Sequence, residues 1–417
     1  MMEINDNKFH YYYNEIKYKY EDTVKNIIIL EIYRSNLYNK LKNYILKLRL
    51  KYLLKIYPYT QLSIYNNYVT EEYILNLLSI IIFTHKFNSL NDPIFDDISP
   101  FNKDNLENIF NNKCLINKEN NINMILTIFP YLSKKYLKYH NKIISNYAKF
   151  NNIKFNINYK INDNIISINL LIEDNKLFNN INYMKKYNFN YNYFMKITKT
   201  NSTEAITNDI LERIYIMYTR YNILSSGNNQ ASILPDFKNL INNKLNIKIE
   251  LFGSPLTIHS KNFGSFFYDC DKYFGSIGNY FNTNIISGYY ELNPPFEYCL
   301  INNMFNKAFN ELTNAENNNL PLLFLFIIPK TYSRYNNELV LSKFIKFNQT
   351  INKQLFPYQI VDESTDIHTN TRSIVDTTII ICHTQYIDKH IINNCINFHT
   401  IIKKYIDRYI YKIINYF

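Results

Sequence analysis

The tetrapeptide Asn293-Pro294-Pro295-Phe296 sets two hydrogen-bond acceptors beside an aromatic face. The Asn293 side-chain oxygen and the Pro294 carbonyl can together accept both N–H groups of an exocyclic aromatic amine, and proline stiffens the loop that presents them. Such an amine is a poor nucleophile because its lone pair is delocalised into the ring. Two acceptors that hold the nitrogen toward tetrahedral geometry localise that pair for attack on a methyl sulfonium, and no strong general base is required. Phe296 adds a stacking face for a base removed from its neighbours, a state that single-stranded substrates reach most readily. An Asn-Pro-Pro turn can also be purely structural. Its place after a short apolar strand and before a helix favours chemistry, since ligands of open α/β sheets sit at the carboxyl ends of strands.

All six glycines of the 417-residue chain lie between Gly227 and Gly288, just ahead of this tetrapeptide. Glycine averages about 7% of residues, so a chain this poor in it keeps glycine where backbone geometry leaves little choice. Phe252-Gly253-Ser254-Pro255 resembles the strand-to-loop segment that receives S-adenosylmethionine, although it is not a GxGxxG. Phe274-Gly275-Ser276 with Gly278 offers a second loop of close approach. The alternative for both is a surface turn.

The elements that must position these residues follow from periodicity. After Asn208 the chain alternates helices and buried strands: helices at 210–224 and 235–244, strands at 247–252 and 287–292, a helix at 300–312, a continuous apolar run at 322–328 of the kind covered on both sheet faces, and a strand at 376–382. The predicted fold class is therefore α/β, a doubly wound domain over residues 209–417 that ends in a C-terminal helix, preceded by a mainly helical, basic, RNA-binding domain over residues 1–208. In the latter, Leu30, Tyr33, Leu37, Leu41, Tyr44, Leu48 and Tyr52 recur at helical spacing, and a β-hairpin is expected near 153–172 with its turn at Asn162-Asp163-Asn164.

A formal charge of +11 favours a polyanionic partner. Two basic stripes could contact phosphates, Lys40, Lys47 and Lys51 in one helix and Lys135, Lys138 and Lys142 in another; the alternative is a solvated helix face. The longest apolar stretches, 73–83 and 321–329, fall short of the ~20 residues needed to span a bilayer, so no membrane partner is expected. The N-terminus lacks a cationic lead and apolar run, so secretion is not expected either. Five cysteines form no CxxC pair, which fits reduced thiols. Cys382, His383, His390, Cys395 and His399 lack the paired spacing of structural zinc sites, and no metal is expected. Heavy use of Asn, Ile, Lys and Tyr reflects AT-rich codons before it reflects function.

Three ordered segments carry a more specific likeness: Leu251 to Leu256 (LFGSPL), Phe267 to Gly278 (FYDCDKYFGSIG) and Ser287 to Phe296 (SGYYELNPPF). Together they resemble the phosphorylated-CTD-interacting-factor family, the cap-specific adenosine N6-methyltransferases, over about residues 212 to 390. The resemblance implies a Rossmann-like domain that uses S-adenosylmethionine and acts on the first transcribed 2′-O-methyladenosine beside a 7-methylguanosine cap. It places Asn293 to Phe296 in the catalytic loop, and Phe252 to Pro255, Asp271 and Phe274 to Ser276 against the cofactor. Capped mRNA would be read by the loop after Pro329, where the family has Trp and Arg and this chain offers Tyr332 and Arg334. The family's Glu at the second position after the motif Phe is here Tyr298, and Glu297 directly follows Phe296. Cellular members carry a WW domain; a chain without Trp is expected to lack one and to forgo binding the polymerase tail by that route. The composition suits a large DNA virus transcribing in the cytoplasm, with the nucleus as the alternative location. Two other functions remain compatible with the residues: N6-methylation of internal RNA or DNA adenines, and a catalytically silent RNA-binding subunit.

Overall fold

The computed structural model describes residues 2–6, 9–13, 24–56, 94–95, 118–150, 153–162, 165–172, 183–199, 202–224, 231–257, 260–296, 298–330, 343–361, 368–372 and 375–414. The chain divides into two compact units, residues 16–227 and residues 1–15 with 228–417. In chain order its principal elements are β1 (Met2–Asp6), β2 (Phe9–Tyr13), α1 (Val24–Ile56), α2 (Lys118–Tyr147), β3 (Phe155–Asn162), β4 (Ile165–Ile172), β5 (Tyr183–Asn190), α3 (Tyr191–Thr198) and α4 (Asn208–Leu224). There follow β6 (Ala231–Ile233), α5 (Pro235–Leu245), β7 (Ile249–Gly253), β8 (Phe263–Ser265), α6 (Tyr268–Asp271), β9 (Thr283–Leu292), α7 (Tyr298–Asn317), β10 (Leu322–Pro329), β11 (Ile345–Ile351), β12 (Pro357–Val361), β13 (His368–Arg372), β14 (Thr377–His383), α8 (Lys389–Ile396) and α9 (Phe398–Ile414). Among the described residues no helix is long and apolar enough to cross a membrane.

In the first unit α1 packs on α2 and α4, and β3, β4 and β5 form an antiparallel sheet. The helical line read from sequence is buried where α1 begins, at Leu30, Tyr33, Leu37 and Leu41, and half-exposed at Tyr44, Leu48 and Tyr52. The hairpin is present, with Ile157 opposite Leu170 and Tyr159 opposite Ile168. Its turn residues Asp163 and Asn164 lie outside the described residues.

The division at 227/228 differs from the one read from sequence at 208/209, by one helix and one hairpin. Helix α4 belongs to the helical unit because Tyr215 and Tyr218 pack on Tyr187, at 5.0 and 4.7 Å between ring centroids, and Arg220 is drawn onto Glu31 of α1. The β1–β2 hairpin belongs to the other unit because β2 pairs antiparallel with β9. Both joins are tertiary and leave no trace in local periodicity.

The second unit is mixed α/β around one large sheet. β8, β7, β9 and β10 run side by side and parallel, β14 is antiparallel to β10, and β11 is antiparallel to β14. Every residue of β10 is buried, as its unbroken apolar run predicts. Helices cover both faces: Phe326 packs on Phe305 of α7 at 4.9 Å, while Tyr289 on the opposite face lies against Asp388 and Cys395 at α8. β12 joins β6 and β13 in a small antiparallel sheet.

Candidate active site

Because β8, β7, β9 and β10 are parallel, their carboxyl ends share one edge of the sheet. The chain passes from β7 outward to β8 and then returns to β9 on the other side of β7, so the strand order reverses between β7 and β9. Ligands of open α/β sheets bind outside the carboxyl ends at such a reversal. The segment Ser254 to Thr257 leaves β7 there, and Asn293 to Phe296 leaves β9 beside it.

Asn293 is 7% exposed and Pro294 is buried, while Pro295 and Phe296 are half-exposed. The Phe296 ring meets Tyr358 of β12 edge-on, 5.9 Å between centroids and at 88°. Tyr358 is itself buried and close to Thr377. The loop is thus braced from β12, a strand that sequence reading did not identify. β9 is also longer than the strand expected at 287–292, and its first half is the part that pairs with β2.

Of the expected cofactor contacts, Ser254 closes a tight turn with Thr257, a residue the sequence did not single out, and their hydroxyls are 3.1 Å apart. Asp271 is fully buried and accepts a hydrogen bond from Cys270 Sγ, and Phe274 is buried. Gly275 has φ 104°, a left-handed conformation that glycine adopts without strain. Ser276 bonds Ser265 Oγ at 2.7 Å and fastens this return segment alongside β8. Gly264, to which the sequence assigned no role, is the tightest position: a Cβ there would sit 2.5 Å from the Leu251 carbonyl oxygen. At Gly253 a Cβ would lie 3.3 Å from the Phe263 ring and 3.5 Å from Glu250 Oε2.

That last neighbour exposes a cluster absent from the sequence reading. Glu250 on β7 stands in register beside Glu291 on β9, both are at least 96% buried, and Lys238 of α5 donates to Glu250 Oε2. Among the described residues Glu291 Oε1 has no hydrogen-bond partner. Burial, reinforced by the Glu250 charge and opposed by Lys238, pushes the Glu291 carboxyl up to about 8. Burial works to lower the Lys238 pKa, but the two carboxylates outweigh it and hold the ammonium above its ordinary value. A search for charged residues near the ends of strands could have flagged Glu250 and Glu291, which lie four and two residues before Ser254 and Asn293.

Tyr332, Arg334 and Glu297 lie outside the described residues, and for Tyr298 only the helical backbone is described. The strand that leads to the 331–342 segment ends at the same sheet edge, where Lys330 N donates to the Asp376 carbonyl at 2.8 Å. In the helical unit Lys40, Lys47, Lys51, Lys138 and Lys142 are exposed, and Lys134 joins the exposed face of α2. Lys135 departs from the expected stripe: its ammonium lies 4.6 Å from the Tyr44 ring centroid and 5.3 Å from that of Tyr139, half-buried between the helices. Burial first, then Lys138, Lys142 and Lys47, lower its pKa, which places the two stripes close enough to feel one another. Cys382 and Cys395 are buried thiols, His383 Nδ1 is 2.8 Å from the Thr384 carbonyl, and His390 pairs with Asn394.

Residues 187–359 match a family model described as the phosphorylated CTD interacting factor 1 WW domain. The human mRNA (2′-O-methyladenosine-N(6)-)-methyltransferase is 30% identical over 149 residues, which cover 33% of this chain and 21% of the human protein. The chain therefore spans about a fifth of that relative's length. The matched description names a WW domain, against the expectation drawn from the absence of Trp, so the exclusion of a polymerase-tail partner is withdrawn. Within the matched segment the described residues run from β5 through the β7–β9 reversal to β12.

Proposed function

We propose that this chain, whose residues 187–359 match a phosphorylated-CTD-interacting-factor family model, N6-methylates adenosine in RNA, with the cap-adjacent 2′-O-methyladenosine of mRNA as its substrate. One observation carries the reading. The Asn293 to Phe296 loop leaves β9 where the strand order reverses, next to the Ser254 turn that leaves β7, as a Rossmann-like methyltransferase requires.

Asn293 Oδ1 and the Pro294 carbonyl accept the two N–H groups of the adenine amine, and the proline-stiffened loop, buried at these two residues, holds them there without reorganisation. Phe296, braced by Tyr358, keeps one ring face for the target base. S-adenosylmethionine supplies, when bound, a methyl group activated on a sulfonium. The residues fit a cationic donor: beside Gly253, two buried carboxylates face one ammonium and leave an acceptor atom unmatched. Phe252 to Pro255, Asp271 and Phe274 to Ser276 line or support that side of the site.

The exposed lysines of α1 and α2 hold the RNA backbone through phosphate contacts. Tyr332 stacks on the 7-methylguanine of the cap and Arg334 accompanies it, so Tyr332→Ala raises KM for capped RNA about tenfold with little effect on uncapped RNA, given ~1–3 kcal/mol per stacked base. The deciding experiment compares methyl transfer to capped RNA beginning with 2′-O-methyladenosine, its uncapped counterpart and an RNA with only internal adenosines. Preference for the first is expected. Equal transfer to all three would move the activity to internal adenines, and no transfer to any would leave an RNA-binding subunit.

A further inference from the structure

Glu291 lies two residues before Asn293 and is 2% exposed, yet among the described residues its Oε1 has no partner. Among the described residues the groups that face it are few. α5 contributes Lys238, which is committed to Glu250 Oε2, β7 contributes Glu250, and β12 contributes Tyr358, whose hydroxyl lies toward Thr377. β10 offers only Leu325 in register, and Asp236, on the same helix as Lys238, acts on Tyr405 instead. One ammonium therefore serves two buried carboxylates. An uncompensated buried carboxylate is expensive enough that the group holds a proton instead. Burial, with Glu250, raises the Glu291 pKa to about 8, so it is protonated in the ligand-free protein at neutral pH.

We propose that Glu291 is the counter-ion of the positively charged methionine moiety of the methyl donor, and that donor binding displaces the Glu291 proton to solvent. The proposal rests on the methyltransferase reading above. The Glu291 carboxylic acid becomes a carboxylate, one proton leaves to water, and no bond of the donor forms or breaks. The incoming positive charge replaces the one the proton supplied. The sign follows: donor affinity increases as pH rises toward about 8 and levels off above it, because only below that pH must a proton first be removed.

The test is calorimetry of S-adenosylmethionine binding to the full chain, wild type and Glu291→Gln, at several pH values and in buffers of different ionisation heat. Subtracting the variant from the wild type cancels the ligand's own ionisation. Near neutral pH the wild type is expected to release close to one proton more than Glu291→Gln, and above pH 8 the variant should bind about tenfold more weakly. Should the variant not fold, infrared difference spectra of the wild type decide, since donor binding must remove a protonated-carboxyl band. Equal proton release and equal affinity in both proteins, or an unchanged carboxyl band, overturns the role of Glu291 and leaves the methyltransferase reading standing. Failure of S-adenosylmethionine to bind the wild type overturns both.

Discussion

Each unit of the molecule buries a three-membered ionic cluster, and the two are balanced in opposite ways. In the helical unit Glu31 is fully buried between Arg34, one turn along α1, and Arg220 of α4, whose Nε donates to Glu31 Oε2 at 2.8 Å. Two fork-shaped guanidiniums surround one carboxylate, and both its oxygens are engaged. In the α/β unit the ratio is reversed: two carboxyl groups share Lys238, and among the described residues one oxygen is left over. A cluster with every acceptor matched locks two helices together. A cluster short of one cation stands ready for a ligand that brings it.

The largest effect expected from breaking this contrast is at Glu31. Glu31→Gln leaves two buried guanidiniums without their anion, and urea unfolding followed by circular dichroism should show a loss of about 3–5 kcal/mol. A loss under about 1 kcal/mol would mean that the cluster is not desolvated as described.

Asn293→Ala should act in the opposite manner, lowering kcat at least about 10²-fold while leaving the unfolding curve unchanged, because it removes a transition-state contact and no packed charge. Activity above about a tenth of wild type would remove Asn293 from the role assigned to it.

The third expectation is smaller and depends on pH. Because the folded-state pKa of Glu291 is raised to about 8, the folded state binds the extra proton, and ligand-free stability falls as pH rises through the window that ends near 8. One proton moves the folding equilibrium by at most about tenfold per pH unit. In Glu291→Gln that slope should vanish, and its urea midpoint should equal or exceed that of wild type at pH 8. An identical slope in both proteins would assign the pH dependence elsewhere.

Smallest are the surface charges. Lys40→Gln, Lys47→Gln and Lys51→Gln together should weaken RNA binding several-fold at low salt and flatten its salt dependence by up to about three phosphate contacts. Lys135→Gln alone should act chiefly on packing, since that ammonium lies over Tyr44 and Tyr139. An unchanged salt slope in the triple variant would make the α1 stripe a solvated face.

Legibility in the sequence followed range. β10 reads directly from its eight apolar residues, α4 and α5 from their periodicity, and the hairpin from alternation about Asn162-Asp163-Asn164. Glycine was informative at Gly275, where the backbone is left-handed, whereas Gly253 serves close packing with Phe263 and Glu250. Arg220, to which no local pattern assigns a role, proves to be a buried structural cation. The β1–β2 hairpin, β12 and the brace of Tyr358 on Phe296 depend on partners far along the chain, and no local pattern announces them.

The sequence by itself determined the acceptor pair and aromatic of Asn293 to Phe296, the strand before it and the helix after it, the excess of positive charge and the basic faces of two helices. These are properties of residue type and short-range spacing. Only the tertiary structure decided that the strand order reverses between β7 and β9, that Glu250 and Glu291 stand side by side, and that Lys238 answers one of them. Strand register and burial set those relations. They join residues twelve to forty-one positions apart and remove them from water, and that removal changes the charge a carboxyl group carries.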